Sequence, residues 1–164
     1  HDQSLPVGAT AIYLGGGYPE RFAEQLAENH SMKRSIQQFA NSGHPVYAEC
    51  GGMMYLSESI IDLDGTSWQM VGVIPISTRM LTKKKRLGYT QTETQIGTIL
   101  GPPHTTFRGH EFHYSEVVDC KLPFDWSAPY RVSNARGGAI RSAGLSRKNV
   151  LASYIHQHFA THKC

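Results

Sequence analysis

The sequence predicts an α/β fold: an open, mostly parallel sheet flanked by helices, with antiparallel additions. Short apolar runs closed by glycine alternate with amphipathic stretches in the first part of the chain, and β-branched, alternating segments dominate the middle. Ala11, Ile12, Tyr13 and Leu14 form an apolar run ended by Gly15, Gly16 and Gly17, the form of a buried parallel strand. After Pro19, the residues Phe22, Ala23, Leu26, Ile36, Phe39 and Ala40 recur at helical steps. They predict two helical stretches broken near Asn29, His30 and Ser31, the second ended by Gly43. Pro45, Val46, Tyr47 and Ala48 read as the next buried strand, followed by Cys50, Gly51 and Gly52 and a helix-like stretch over 53–60. Strand, helix, strand, helix is the pattern of a right-handed parallel unit. Residues 71–76, 89–96 and 112–118 then read as strands between Gly, Pro and Thr turns, and 137–140 and 150–155 add strand-like pieces.

The 164 residues suit one domain, 1–164, with its own core. Hydrophobic content of 40% and charged content of 18% exclude a disordered chain as the default. No apolar run approaches the ~20 residues of a membrane span, so no membrane partner is expected. The start lacks a basic leader and a cleavage site, and reads as a chain cut at a domain boundary. Cys50, Cys120 and Cys164 are too scattered for a disulfide framework, which favours a reducing cytoplasm. A net charge of +3 gives little for nucleic acid to hold. The one dense basic run, Lys83, Lys84, Lys85 and Arg86, reads as the solvated cap of a hairpin; steering of a polyanionic substrate is the rarer reading.

Cys50 is the first candidate for chemistry. A buried strand runs into it, two glycines follow, and a helix begins, which places the sulfur on a strained elbow at the sheet's end. Gly51 and Gly52 let a substrate approach the backbone, and the helix start is expected to favour the thiolate. Cys120 and Cys164 lack that context. A nucleophilic cysteine needs a base from a distant part of the chain. Nine histidines compete. His156 closes the apolar run 150–155 with His158 two residues on, and a strand-end histidine in a parallel sheet can face the elbow's edge. His110 and His113 form a second pair. The period-two spacing of His156 and His158 also suits metal ligands, but no carboxylate–histidine motif of metal spacing accompanies either pair, and no metal is assigned.

Four strings in order, GGGYPE, AECGGMMYL, FRGHEFHYS and ASYIHQHF, resemble the carboxyl-terminal glutamine amidotransferase domains of the cobyrinic acid a,c-diamide synthase family, from about Ala11 to Phe159. The resemblance implies a class I (triad) amidotransferase-like fold. It implies Cys50 as the nucleophile that forms a γ-glutamyl thioester, and His156 as the base that activates it and protonates the leaving ammonia. Where most triad enzymes carry a glutamate two residues after the histidine, this chain has His158, which either orients His156 or leaves a dyad. Backbone N–H groups at Gly51 and in the Gly16–Gly17 loop would form the oxyanion hole. His113, Tyr114 and Ser115 align with the segment that holds the glutamine's amino-acid end.

The same resemblance implies L-glutamine as substrate and an amino-terminal synthetase domain as partner. That domain would hold ATP, magnesium and the corrinoid acceptor; no cofactor is expected in this one. Gly15–Gly17 lacks the Lys-Ser/Thr of a phosphate loop. Competing readings are amidation of hydrogenobyrinic acid or a nickel tetrapyrrole, a γ-glutamyl hydrolase, and a non-catalytic regulatory domain.

Overall fold

A computed structural model describes residues 2–118, 122–134, 138 and 140–161. In chain order the elements are β1 (Ile12–Leu14), a 3-10 turn (Pro19–Phe22), α1 (Ala23–Glu28), α2 (His30–Asn41), β2 (Val46–Glu49), α3 (Gly51–Leu56), β3 (Ser59–Ile61), β4 (Ser67–Gln69), β5 (Ser77–Met80), β6 (Arg86–Thr94), β7 (Thr106–His113), β8 (Ser115–Val118), β9 (Tyr130–Asn134), β10 (Arg141–Ala143), β11 (Leu145–Arg147), β12 (Val150–Ser153) and β13 (Ile155–His158). Among the described residues the strands form three sheets.

The first sheet, ordered β1-β2-β12-β11, is parallel except for β11. It is the α/β part foreseen from the opening of the chain. All four residues of β2 and all four of β12 are buried, which is why 46–48 and 150–152 read as unbroken apolar runs. The helix break falls at Asn29, whose side chain accepts from the Met32 N–H at 3.1 Å and caps α2, an interaction worth about 1 kcal/mol. Ile36 and Ala40 turn inward to the core beneath the sheet, and Gly43, at φ +88°, ends the helix.

The antiparallel part is larger than the sequence suggests. A five-stranded sheet, β10-β9-β6-β7-β13, is antiparallel throughout, and a four-stranded one, β4-β3-β5-β8, is parallel only between β3 and β5. Two predicted strands each prove to be two. Residues 112–118 break at Tyr114 between β7 and β8, and 150–155 breaks at Tyr154 between β12 and β13, so in both cases the chain changes sheet.

Residues 71–76 are not a strand. Val71, Val73, Ile74 and Ile76 are buried, but the N–H groups of 71–74 bond the carbonyls of Tyr55, Ser57 and Leu56 at the end of α3. The segment satisfies the orphan acceptors of a short helix instead of pairing with a strand. The basic run 83–86 caps no hairpin either: exposed throughout, it crosses from β5 in one sheet to β6 in another, with Lys85 paired to Glu116 at 2.9 Å. Cys120, Cys164 and residues 137 and 139 of the strand-like piece 137–140 lie outside the described residues.

Candidate active site

The elbow is built as the sequence implies. β2 delivers Cys50 to the start of α3 with φ +47° and ψ −108°, a left-handed conformation that costs a non-glycine residue about 1–3 kcal/mol. Neighbours hold it there: the Cys50 N–H donates to the Ser153 carbonyl at 2.7 Å, and the Met54 N–H donates to the Cys50 carbonyl at 3.1 Å. The two following glycines have a packing reason beyond substrate access. A Cβ at Gly51 would lie 2.4 Å from the Gly17 carbonyl oxygen, and one at Gly52 would lie 2.2 Å from that of Leu14. The Gly52 N–H donates to the Gly15 carbonyl at 3.1 Å. The triple-glycine loop therefore seats directly on the first turn of α3.

The Cys50 thiol is 8% exposed and donates to the Phe112 carbonyl, 3.6 Å away on β7. Burial pushes its pKa up to about 11; the Gly51 N–H bonded to it works the other way, and the charges of Glu20, Glu49 and Glu111 add to the rise. This corrects the expectation of a thiolate favoured by the helix start. α3 has six residues, and its small dipole loses to desolvation. At neutral pH the thiol form therefore predominates. Alkylation of Cys50 by iodoacetamide in the substrate-free protein is accordingly expected to quicken roughly tenfold per pH unit from about pH 7 to about pH 10. A plateau reached below about pH 8 would contradict this burial effect.

His156 lies in β13, in the antiparallel sheet, and not at the end of the parallel strand where the sequence put it; β13 places it directly across from His110 of β7. The two imidazoles stack 4.7 Å apart with planes 7° from parallel. The position of a Cβ on Gly16 falls 2.3 Å from His156 Cε1, so the loop that covers Gly51 also abuts the histidine. That shared loop gathers Cys50 and His156. His158 is exposed, and its Nε2 lies 3.3 Å from His110 Nδ1. Among the described residues, the N–H groups of Gly16 and Gly17 have no hydrogen-bond partner.

Sequence reasoning missed Glu49. It sits beside Cys50, 2% exposed, with Oε2 3.7 Å from His156 Nδ1. The signal was there in principle: a carboxylate inside a fully buried strand must have partners. Those partners, however, come from distant segments. Glu20, in the GGGYPE string, is a second omission; its partly buried carboxyl is raised by desolvation and acts on Cys50.

His113 and Ser115 serve internal contacts. The His113 ring stacks on Tyr154 at 3.8 Å, its Nδ1 lies 2.8 Å from the Ser115 carbonyl oxygen, and Ser115 Oγ is 2.9 Å from Tyr154 Oη. The carbonyls of His113 and Tyr114 accept from the N–H groups of Lys85 and Leu81. Only Tyr114 keeps a substantially exposed side chain, set edge-on to Phe112.

A groove of 420 Å³ runs along the glycine seam, walled by Tyr13, Tyr18, Gly17, Gly51 and Tyr55. Neither this groove nor a larger cavity of 540 Å³, bounded by Gln3, Gln25, Glu28 and Ser31, is lined by Cys50 or His156. Among the described residues no group of His, Cys, Asp and Glu is arranged to hold a metal ion, and no helix is long and apolar enough to cross a membrane.

The sequence profile of the CobB/CobQ-like glutamine amidotransferase domain matches residues 1–164. Cobyrinate a,c-diamide synthase of Syntrophotalea carbinolica is 44% identical over 161 residues, covering 98% of this chain and 35% of that protein. The enzyme of the same name from Caldanaerobacter subterraneus subsp. tengcongensis is 41% identical over 162 residues, 99% of this chain and 35% of its own length. The chain thus spans about a third of these relatives. In structure it is similar to a glutamine amidotransferase with TM-score 0.62 at 18% identity, covering 92% of this chain and 71% of that one. A second, from Thermotoga maritima, matches with TM-score 0.55 at 14% identity over 93% of this chain and 58% of its own. Both likenesses bear on the fold alone.

Proposed function

The chain belongs to the family of CobB/CobQ-like glutamine amidotransferase domains, and from that premise we propose that it hydrolyses L-glutamine through a thioester on Cys50 and supplies the ammonia to a synthetase region of the same protein. The observation that carries this reading is the convergence of the Cys50 elbow and His156 on one glycine loop. His156 takes the thiol proton as sulfur attacks the carboxamide carbon. The oxygen that gains the charge is met by N–H groups of Gly51 and of Gly16 or Gly17, each worth about 3 kcal/mol in such a role. Collapse of the tetrahedral species breaks the C–N bond, and the same proton passes to the departing ammonia. Water then attacks the thioester, gives its proton to His156 and releases glutamate, with the thiol restored. Tyr114, beside the sheet change after β7, would meet the amino-acid end of the glutamine, with His113 and Ser115 fixing that turn.

The ammonia is destined for the a and c acetate groups of cobyrinic acid, in keeping with the names of the relatives. Carboxylate activation by ATP and magnesium belongs to the synthetase region. The residues here do not fit a nucleotide: the glycine loop has no Lys-Ser/Thr after it and is packed against Gly51 and His156. A thiol that must stay reduced suits a cytoplasmic setting.

Treating the complete protein, with acceptor bound, with a diazoketone analogue of glutamine is expected to alkylate Cys50 alone, as located by peptide mass spectrometry. Labelling of Cys120 or Cys164 with Cys50 untouched would remove the proposed nucleophile.

A further inference from the structure

Every acceptor position of Glu49 has an identifiable use. Its Oε1 accepts from the Tyr47 hydroxyl at 2.7 Å and the Gln157 backbone N–H at 2.8 Å. Its Oε2 accepts from the Tyr13 hydroxyl at 2.8 Å and faces His156 Nδ1 at 3.7 Å. A carboxylate offers about four lone-pair positions. Three neutral donors fill three of them, and the fourth points at the histidine. Neutral donors solvate the buried charge without balancing it; the balance comes when His156 becomes an imidazolium. The parallel His110 ring fixes the plane of His156. The separation of 3.7 Å is ion-pair range and longer than a hydrogen bond, as for many catalytic contacts before substrate arrives.

We propose that Glu49, on the nucleophile's own strand, is the positioning residue for His156, filling the place that the resemblance left to His158. It holds the proton on Nδ1, which leaves Nε2 as the basic nitrogen, and it steadies the imidazolium once the thiol proton has moved. His158 acts at one remove, through the His110 ring stacked on His156. Glu49 also opposes a free thiolate at the neighbouring sulfur, so its charge favours proton transfer to His156 over loss of the proton to water. The proposal rests on the reading of Cys50 and His156 as nucleophile and base.

The test uses the complete protein. Glu49→Gln keeps the shape and removes the charge. It is expected to lower glutaminase kcat by roughly 100- to 1,000-fold with KM within about threefold, while ammonium-dependent turnover persists and shows that the variant is folded. His158→Ala is expected to lose less than about tenfold. A Glu49→Gln protein whose kcat stays within about threefold of the parent overturns the proposal. If His156→Ala is dead while Glu49→Gln is active, only this proposal falls; if His156→Ala is active, the base assignment falls first. Independently of any variant, nitrogen-15 spectra of histidine-labelled protein should show His156 in the Nδ1-protonated tautomer. A resting Nε2-protonated ring would overturn the assignment even if Glu49→Gln failed to fold.

Discussion

Serine in place of Cys50 is expected to abolish glutamine-dependent amidation by the complete protein, a loss of at least about 1,000-fold, while added ammonium still supports turnover. The physical basis is the difference between a thiol and a hydroxyl at the same strained position. Serine fits the φ of +47° no worse than cysteine, and the Ser153 and Met54 hydrogen bonds are to backbone, so the elbow keeps its form. What changes is the acid. A buried thiol at about 11 lies within reach of an imidazole base in a concerted transfer, whereas a serine hydroxyl is several units harder to deprotonate and a weaker nucleophile. Retained ammonium use would show that the synthetase region is intact and that the defect is confined to this site. Undiminished turnover on glutamine would show that another group attacks the amide.

How far the sequence discloses this site depends on how local each feature is. Cys50 is legible because its signals are adjacent: a strand, a sulfur and two glycines within a few residues. The glycine loop is equally plain, although its purpose is visible only where Gly17 meets Gly51. His156 comes from the resemblance more than from its surroundings, and its strand was misjudged. The run 150–155 is continuously apolar, yet at Tyr154 the chain leaves the parallel sheet for the antiparallel one. Burial on both sides of that step makes the hydrophobic pattern blind to it. The same blindness made a strand of 71–76, where burial reflects helix capping. Glu49 was hidden for the opposite reason. Its partner Gln157 lies 108 residues along the chain, and no periodicity reports a contact of that range. The pKa of Cys50 likewise needs three dimensions, since burial of the thiol outweighs a short helix.

Gly16→Ala is expected to lower glutaminase kcat by about 100-fold or more with little effect on stability, because the added methyl strikes His156, the proposed base, and not the core. Gly16 is exposed, and its φ lies outside the left-handed range, so alanine costs the backbone little. The Cβ, however, would sit 2.3 Å from His156 Cε1, 3.1 Å from Nδ1 and 3.4 Å from Nε2. The first distance is well inside contact, and the imidazole has to move. Its room is limited: His110 is stacked on it at 4.7 Å, and β13 is tied to β7 through its backbone. A displacement of about 1 Å at a catalytic group is enough for a hundredfold loss. Gly15→Ala provides the comparison, since its Cβ would find only the Tyr13 ring and hydroxyl at 3.7–3.8 Å, ordinary contact. That variant should stay within about threefold of the parent. Glutaminase kcat and KM of the two variants, read beside their melting temperatures, separate a displaced base from a loosened fold. A Gly16→Ala enzyme with full activity would mean that His156 works from a position other than the one against this loop.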